Sequence, residues 1–278
     1  MSYSTGQVQG CCMYIGGAAT GFARAVTGGG YDWVTNPIVK NGIGGQRHVR
    51  KGTSSLTLNV DCVGIPKDTL ALFFPTAAGV QIANFPDLLV DGGDDQFILY
   101  GVQPVSMGMT LAQGDDTEVE YSAQFMAAGY TATTGKTCLY ADETANTIND
   151  VTLTVGAATV YGLSFNLSDS LNTKNVNLLD GKTAGSRTFA SAVIPLTQDI
   201  SFSMTTAVPL AGTLADDCYT DVDIVITMTD CASGTTTVTL VNMNVTTLNT
   251  PLEAEDLVAY ASEFIVGDGT MFNRIQVA

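Results

Sequence analysis

Positive charge is scarce in this chain. Its 11 lysines and arginines face 27 aspartates and glutamates, for a formal net charge of −16. Such a chain repels nucleic acid wherever that charge faces it, which argues against a DNA-binding regulator. Histidine is scarcer still, with His48 alone. The six cysteines, Cys11, Cys12, Cys62, Cys138, Cys218 and Cys231, include no C-x-x-C pair. Zinc sites of the usual spacing are therefore not expected, nor is any cofactor. Cys62 falls in an alternating pattern and reads as a small core hydrophobe. No apolar run reaches the ~18 residues of a membrane helix, so no membrane partner is expected. No basic stretch followed by an apolar one comes after Met1. The expectation is a reduced, cytosolic protein with free thiols rather than disulfides.

The signatures of catalysis are missing too. A Ser-His-Asp arrangement would have to use His48, which lies in the cationic run Gly44–Gly52 without a G-x-S-x-G elbow. No Walker A sequence occurs, and the glycines at 28–30 and 42–45 read as loops rather than phosphate cradles. Asp91, Asp94 and Asp95, like Asp115, Asp116 and Glu118, offer oxygen ligands. Neither set has the EF-hand spacing, and hairpin turns account for both. Trp33 is the sole tryptophan, so an aromatic sugar-binding cleft is poorly supplied. The chain reads as a non-enzyme.

What is present points to strands. Hydrophobic residues make up 45% of the chain and charged ones 14%, enough for a core and too apolar for disorder. Leu56, Leu58 and Val60 alternate with Thr57 and Asn59, and Ile200, Phe202 and Met204 alternate with Ser201 and Ser203. Val222 to Met228 and Leu163 to Leu167 repeat the pattern. Val238 and Leu240 give way to Val241, Met243 and Val245 in opposite phase, as a bulge would allow. Turns are expected at 91–95, 113–116, 232–234 and 267–269. Pro66 to Leu89 and Pro209 to Tyr219 break the pattern, and each is expected to hold a short helix.

The two halves resemble each other. Val119–Phe125 (VEYSAQF) matches Val258–Phe264 (VAYASEF) 139 residues on. Leu56–Val60 matches Ile200–Met204 at 144, and Gly45–Val49 matches Gly185–Phe189 at 140. Three blocks in one order at similar offsets point to a duplicated domain. The expected division is 1–135 and 136–278, each an ordinary β-sandwich length. Acidic turns precede the first pair of blocks: Asp115, Asp116 and Glu118 in one half, Glu253, Glu255 and Asp256 in the other. Each half also carries a polar stretch read as a long loop. Thr35–Ser55 holds Lys40, Arg47, His48, Arg50 and Lys51, and Asn172–Ala192 holds Lys174, Lys182 and Arg187. Seven of the 11 lysines and arginines fall there, which suits docking onto an acidic neighbour. Two like domains in one chain mimic a dimer, so three chains can close a ring of six.

A strand, a long loop with glycine and arginine, a second strand reading SLTLNV or ISFSM, a short helix, and a hairpin ending in YSAQF or YASEF resembles the major tail tube proteins of siphovirus-type phages. The resemblance covers nearly the whole chain as two copies. It implies an all-β fold of two tandem β-sandwich domains, each with a short helix and a long inter-ring loop. It implies stacked homotrimeric rings with pseudo-six-fold symmetry in the virion tail, assembled in the host cytoplasm. The channel would be acidic, and the genomic DNA would pass without specific binding. Asp115, Asp116, Glu118, Glu253, Glu255 and Asp256 are then candidate lumen or turn residues, and the basic residues of the loops candidate inter-ring contacts. Tape-measure, terminator and baseplate proteins are the further partners it implies. The first 30 residues depart from the pattern, since Cys11-Cys12 and Gly28-Gly29-Gly30 have no evident second-half counterpart. The competing reading is a two-domain β-sandwich binding module, such as a decoration, fibre or adhesin protein.

Overall fold

Alternating apolar residues, frequent threonine and scarce proline favour extended chain, and the fold is all-β. The computed structural model describes residues 12–15, 18–19, 22–39, 47–63, 67–74, 88–91, 96–111, 119–133, 148–176, 192–208, 210, 221–249, 260–266 and 272–278. The strands of the first half are β1 (Cys12–Ile15), β2 (Ala18–Ala19), β3 (Phe22–Val39), β4 (Arg47–Val63), β5 (Leu88–Asp91), β6 (Gln96–Leu111) and β7 (Glu120–Thr133). A short helix, α1 (Lys67–Leu70), continues as a 3-10 turn over Ala71–Phe73 between β4 and β5. The strands of the second half are β8 (Ile148–Val155), β9 (Ala158–Val160), β10 (Gly162–Val176), β11 (Ala192–Thr206), β12 (Asp221–Asp230), β13 (Thr235–Asn249), β14 (Tyr260–Val266) and β15 (Ile275–Val277).

Every pairing is antiparallel, and the strand order runs the same way in each half. It is β3-β4-β7-β6-β5-β1-β2 in the first and β10-β11-β14-β13-β12-β8-β9 in the second, with β15 added to β13. The blocks that match in sequence take matching ladder positions. Leu58 stands opposite Phe125, and Phe202 opposite Phe264. The ladder from β6 to β7 shifts between Pro104 and Ser106, and that from β13 to β14 between Val245 and Thr247. β1, which begins at Cys12, takes the place that β8 holds, and Cys11 lies outside the described residues. Gly28, by contrast, falls in β3 at a ladder shift, between Gly28 and Tyr31. β10 lacks that shift where Leu167, Ser168 and Asp169 face Phe202, Ser201 and Ile200 in unbroken register. The last part of β6 pairs with β10, which makes one 15-stranded sheet of the two halves.

One face of this sheet is apolar. Leu58, Val60, Phe125, Leu167, Phe202, Ile226 and Phe264 are all at most 2% exposed and belong to one buried cluster. Leu70 and Phe73 of the helical segment join it, with the Phe73 ring 5.4 Å from that of Phe125. The Tyr121 hydroxyl donates to the Met228 sulfur at 3.6 Å, tying β7 to β12 across the core.

Three sequence expectations have a physical outcome here. The phase change in β13 is a bulge: Val222 faces Met243 but Ile224 faces Leu240. Asn242 takes φ 54°, and its N–H donates to Asp223 Oδ1 at 2.9 Å. The turn at Ala232–Gly234 places Ser233 at φ 66°, and Gly234 N–H donates to Asp230 Oδ1 at 2.7 Å. The helix expected after Pro66 is α1 with its 3-10 extension. Its counterpart after Pro209 lies outside the described residues, apart from Leu210.

Of the two stretches read as long loops, the first is strand over 35–39 and 47–55 and the second over 172–176 and at Ala192, and the remainder of each lies outside the described residues. β3 and β4 stay paired to Val39 and Arg47, and β10 and β11 to Val176 and Ala192. Backbone pairing satisfies the polar groups of these segments, so they need no apolar alternation to run as strands. Lys174 and Leu196, in the second pair of strands, are both exposed.

Candidate assembly surface

Residues out of phase with the core form the other face of the sheet. The register aligns them in rows that cross from one half to the other. One row reads Asp61, Ser122, Gly108, Ser168, Ser201 and Ile265 along β4, β7, β6, β10, β11 and β14. The next reads Glu120, Thr110, Asn166, Ser203, Glu263 and Thr247, from β7 to β13. A third reads Asn59, Gln124, Ser106, Ser170 and Asp199. With strands about 4.8 Å apart, each row is a line of mostly hydroxyls, amides and carboxylates, interrupted in the first by Gly108 and the exposed Ile265. Cross-strand bonds knit the rows: Gln124 Nε2 donates to Asn59 Oδ1 at 2.8 Å, and Thr110 Oγ1 to Asn166 Oδ1 at 3.2 Å. Gly108 keeps the centre flat, because a Cβ there would lie 2.5 Å from the Ser122 hydroxyl. A shallow groove of about 390 Å³ runs over Thr110, Asn166, Ser203 and Glu263. The charges in the three rows are Asp61, Glu120, Asp199 and Glu263, all exposed, and neither lysine nor arginine takes part.

Beneath this face, on β10, lies Asp169, fully buried and opposite Met107 of β6 and Ile200 of β11. Gln198 Nε2 donates to its Oδ2 at 2.9 Å, while its Oδ1 finds no partner among the described residues. Burial pushes its pKa up to about 7, the Gln198 bond opposes that rise, and the charge of Asp199 adds to it.

The sheet leaves open edges. β3 pairs only with β4 among the described strands. β13 meets β12 as far as Asn244, so its stretch 245–249 is paired on one side only, by β14. Open edges are sites where another strand can add.

Among the basic residues expected to make contacts, Arg47, His48, Arg50 and Lys51 stand on β4 opposite Val39, Ile38, Asn36 and Thr35. They gather at the far end of one two-stranded arm. Lys174 is exposed on β10, opposite Ile194. Lys40, Lys182 and Arg187 lie outside the described residues, as do Asp115, Asp116, Glu118, Glu253, Glu255 and Asp256. The sequence reading missed the polar rows. Their residues were visible as the off-phase members of each alternation, but only the strand order makes them neighbours. No group of three or more metal-binding side chains occurs among the described residues. No helix among them is long and apolar enough to cross a membrane. No protein-family model matches the chain, and no curated protein matches it.

Proposed function

We propose that this chain is a structural subunit of a phage tail tube, built from two tandem tube-like β domains divided near residue 135. Three chains close into a pseudo-six-fold ring, and the rings stack into a channel in the virion tail through which DNA leaves. The observation that carries this reading is the joint between β6 and β10, which makes one sheet of two halves with the same strand order. A joint that links like to like inside the chain is the geometry that head-to-tail rings repeat between chains.

The polar rows suit a channel wall. Phosphates bind proteins through lysine, arginine and helix N-termini, and the rows supply none of these. Hydroxyls and amides keep such a wall wet, and the four carboxylates repel the polyanion. The cationic end of the β3–β4 arm, with Arg47, His48, Arg50 and Lys51, suits contact with an acidic ring above or below. Tape-measure, terminator and baseplate partners follow from the family resemblance.

Negative-stain microscopy of the purified chain at rising concentration tests the reading. Hollow rings or tubes with three-fold or pseudo-six-fold end views are expected. Dispersed particles at every concentration would remove it and favour a binding module. A second prediction concerns the wall. Ser122→Lys with Ser201→Lys changes exposed positions, so stability is expected to move by no more than about 0.5 kcal/mol per site. The variant is expected to retain a short DNA duplex in a salt-dependent way, with a log–log slope steeper by about 2 if each lysine engages one phosphate. Unchanged retention, read by fluorescence anisotropy, would rule out the missing cations as the reason DNA slides past.

A further inference from the structure

We infer that the open edge of β13 around Leu248 receives β3 of a second copy of this chain, in the register that joins β6 to β10 within each copy. The inference rests on the ring reading and names the residues that meet.

The ladders fix the correspondence. Met107 stands opposite Ala123, two places from Phe125, and Leu248 stands opposite Ser262, two places from Phe264. Both follow the same ladder shift, so Leu248 holds in β13 the place that Met107 holds in β6. Yet Met107 is 2% exposed and Leu248 is 39% exposed. What differs is the neighbour. β10 lies alongside Met107, with Asp169 directly opposite, whereas β12 ends its pairing with β13 at Asn244. Leu248 is thus an apolar side chain in a core-side position, left uncovered where a strand stops. Its flanking backbone faces an open edge, and unpaired edge groups gain hydrogen bonds from an added strand.

The strand that fits is identified by the same counting. Asp169 of β10 stands opposite Ile200, and Tyr31 of β3 stands opposite Leu56. Leu56 and Ile200 open the matching blocks, so Tyr31 holds the place of Asp169. Among the described strands β3 offers one open edge, and the end of β13 another in the place that β10 fills on β6, so a second copy brings Tyr31 opposite Leu248 and Asp32 opposite Thr247. Inside the chain the corresponding pairs are Asp169 with Met107 and Ser170 with Ser106. Between chains, an aromatic and an aliphatic residue replace the acid and the methionine. That pairing favours association between strands more than a buried acid does. The contact is head to tail, and repetition of one rotation closes it.

Directly opposed antiparallel positions place Cβ atoms about 4.5–5.5 Å apart, close to disulfide range. The test mixes full-length chains carrying Tyr31→Cys with chains carrying Leu248→Cys, each also carrying Cys231→Ser to remove an exposed thiol. After oxidation, a two-chain species is expected in the mixture and in neither chain alone. Rings in the micrographs without that species would overturn this joint and leave the tube reading standing. The species in dispersed particles without rings would support the joint and sink the tube reading. Leu248→Lys supplies an independent arm, since the position is exposed in the single chain and the fold should be kept by circular dichroism. It would bury an unpaired charge at the joint and raise the concentration needed for rings by roughly a hundredfold or more. Rings at an unchanged concentration would overturn the inference.

Discussion

Replacing Phe202 by alanine is expected to destabilise the chain by about 3–5 kcal/mol, a large share of the ~5–15 kcal/mol that holds a typical domain folded. Phe202 is 1% exposed and stands at the centre of an aromatic row on β11. The Phe165 ring lies 6.1 Å away and nearly parallel at 26°, and the Phe264 ring 6.0 Å away at 51°. Those neighbours belong to β10 and β14, the strands on either side, so the cavity would open between three strands at once. Backbone pairing prevents the strands from closing in to fill it, which puts the cost toward the upper end of the range. Urea unfolding would show the midpoint fall with little change in slope. A Phe202→Leu variant is expected to recover part of the loss, because it restores volume without the ring contacts. A loss under about 1 kcal/mol for Phe202→Ala would mean that this core is loosely packed.

Most of the described core could be read from the sequence. Val222, Ile224, Ile226 and Met228 are buried as their alternation requires, and the phase change after Leu240 is a bulge. Alternation is legible because one face of each strand is buried and the other is wet. The same principle explains the part of the first loop that proved to be strand. Along β4 from Arg47 to Ser55 both sets of positions lack apolar side chains apart from Val49, and in β3 Ile38 and Val39 are adjacent, so no period of two marks either strand. The matching blocks were legible as repeats, and the ladders place them alike, Leu58 opposite Phe125 and Phe202 opposite Phe264, but the repeat itself did not say which strands pair. What local pattern does not contain is the joint between β6 and β10. Ser106 and Ser170 are 64 positions apart and share no motif. The polar rows follow from that joint, so they were hidden with it.

Asp169 was hidden for a different reason, since an acidic residue at an inward position of β10 breaks the alternation it sits in. Its pH dependence gives the second large prediction. In the unfolded chain this carboxyl loses its proton near 3.8, and in the folded chain near 7. Between those values the folded state holds a proton that the unfolded state has released. Stability from this group is therefore complete below 3.8, falls as pH rises, and levels off above about 7. At ~1.4 kcal/mol per pH unit, the whole change is about 4 kcal/mol. Other carboxylates titrate in the same range, and a variant separates them from this one. Asp169→Asn has no charge to bury and can still accept the hydrogen bond from Gln198 Nε2. Parent and variant are expected to be of similar stability at pH 4. By pH 8 the variant should be more stable by a few kcal/mol, with the gap opening across the window from 3.8 to about 7. Urea midpoints at unit steps of pH would trace it. Parallel curves would show that Asp169 is solvated when charged, and that the strand at the joint breathes enough to admit water. A widening gap would show that the joint between the halves is dry, as a sheet that keeps its shape through both halves requires.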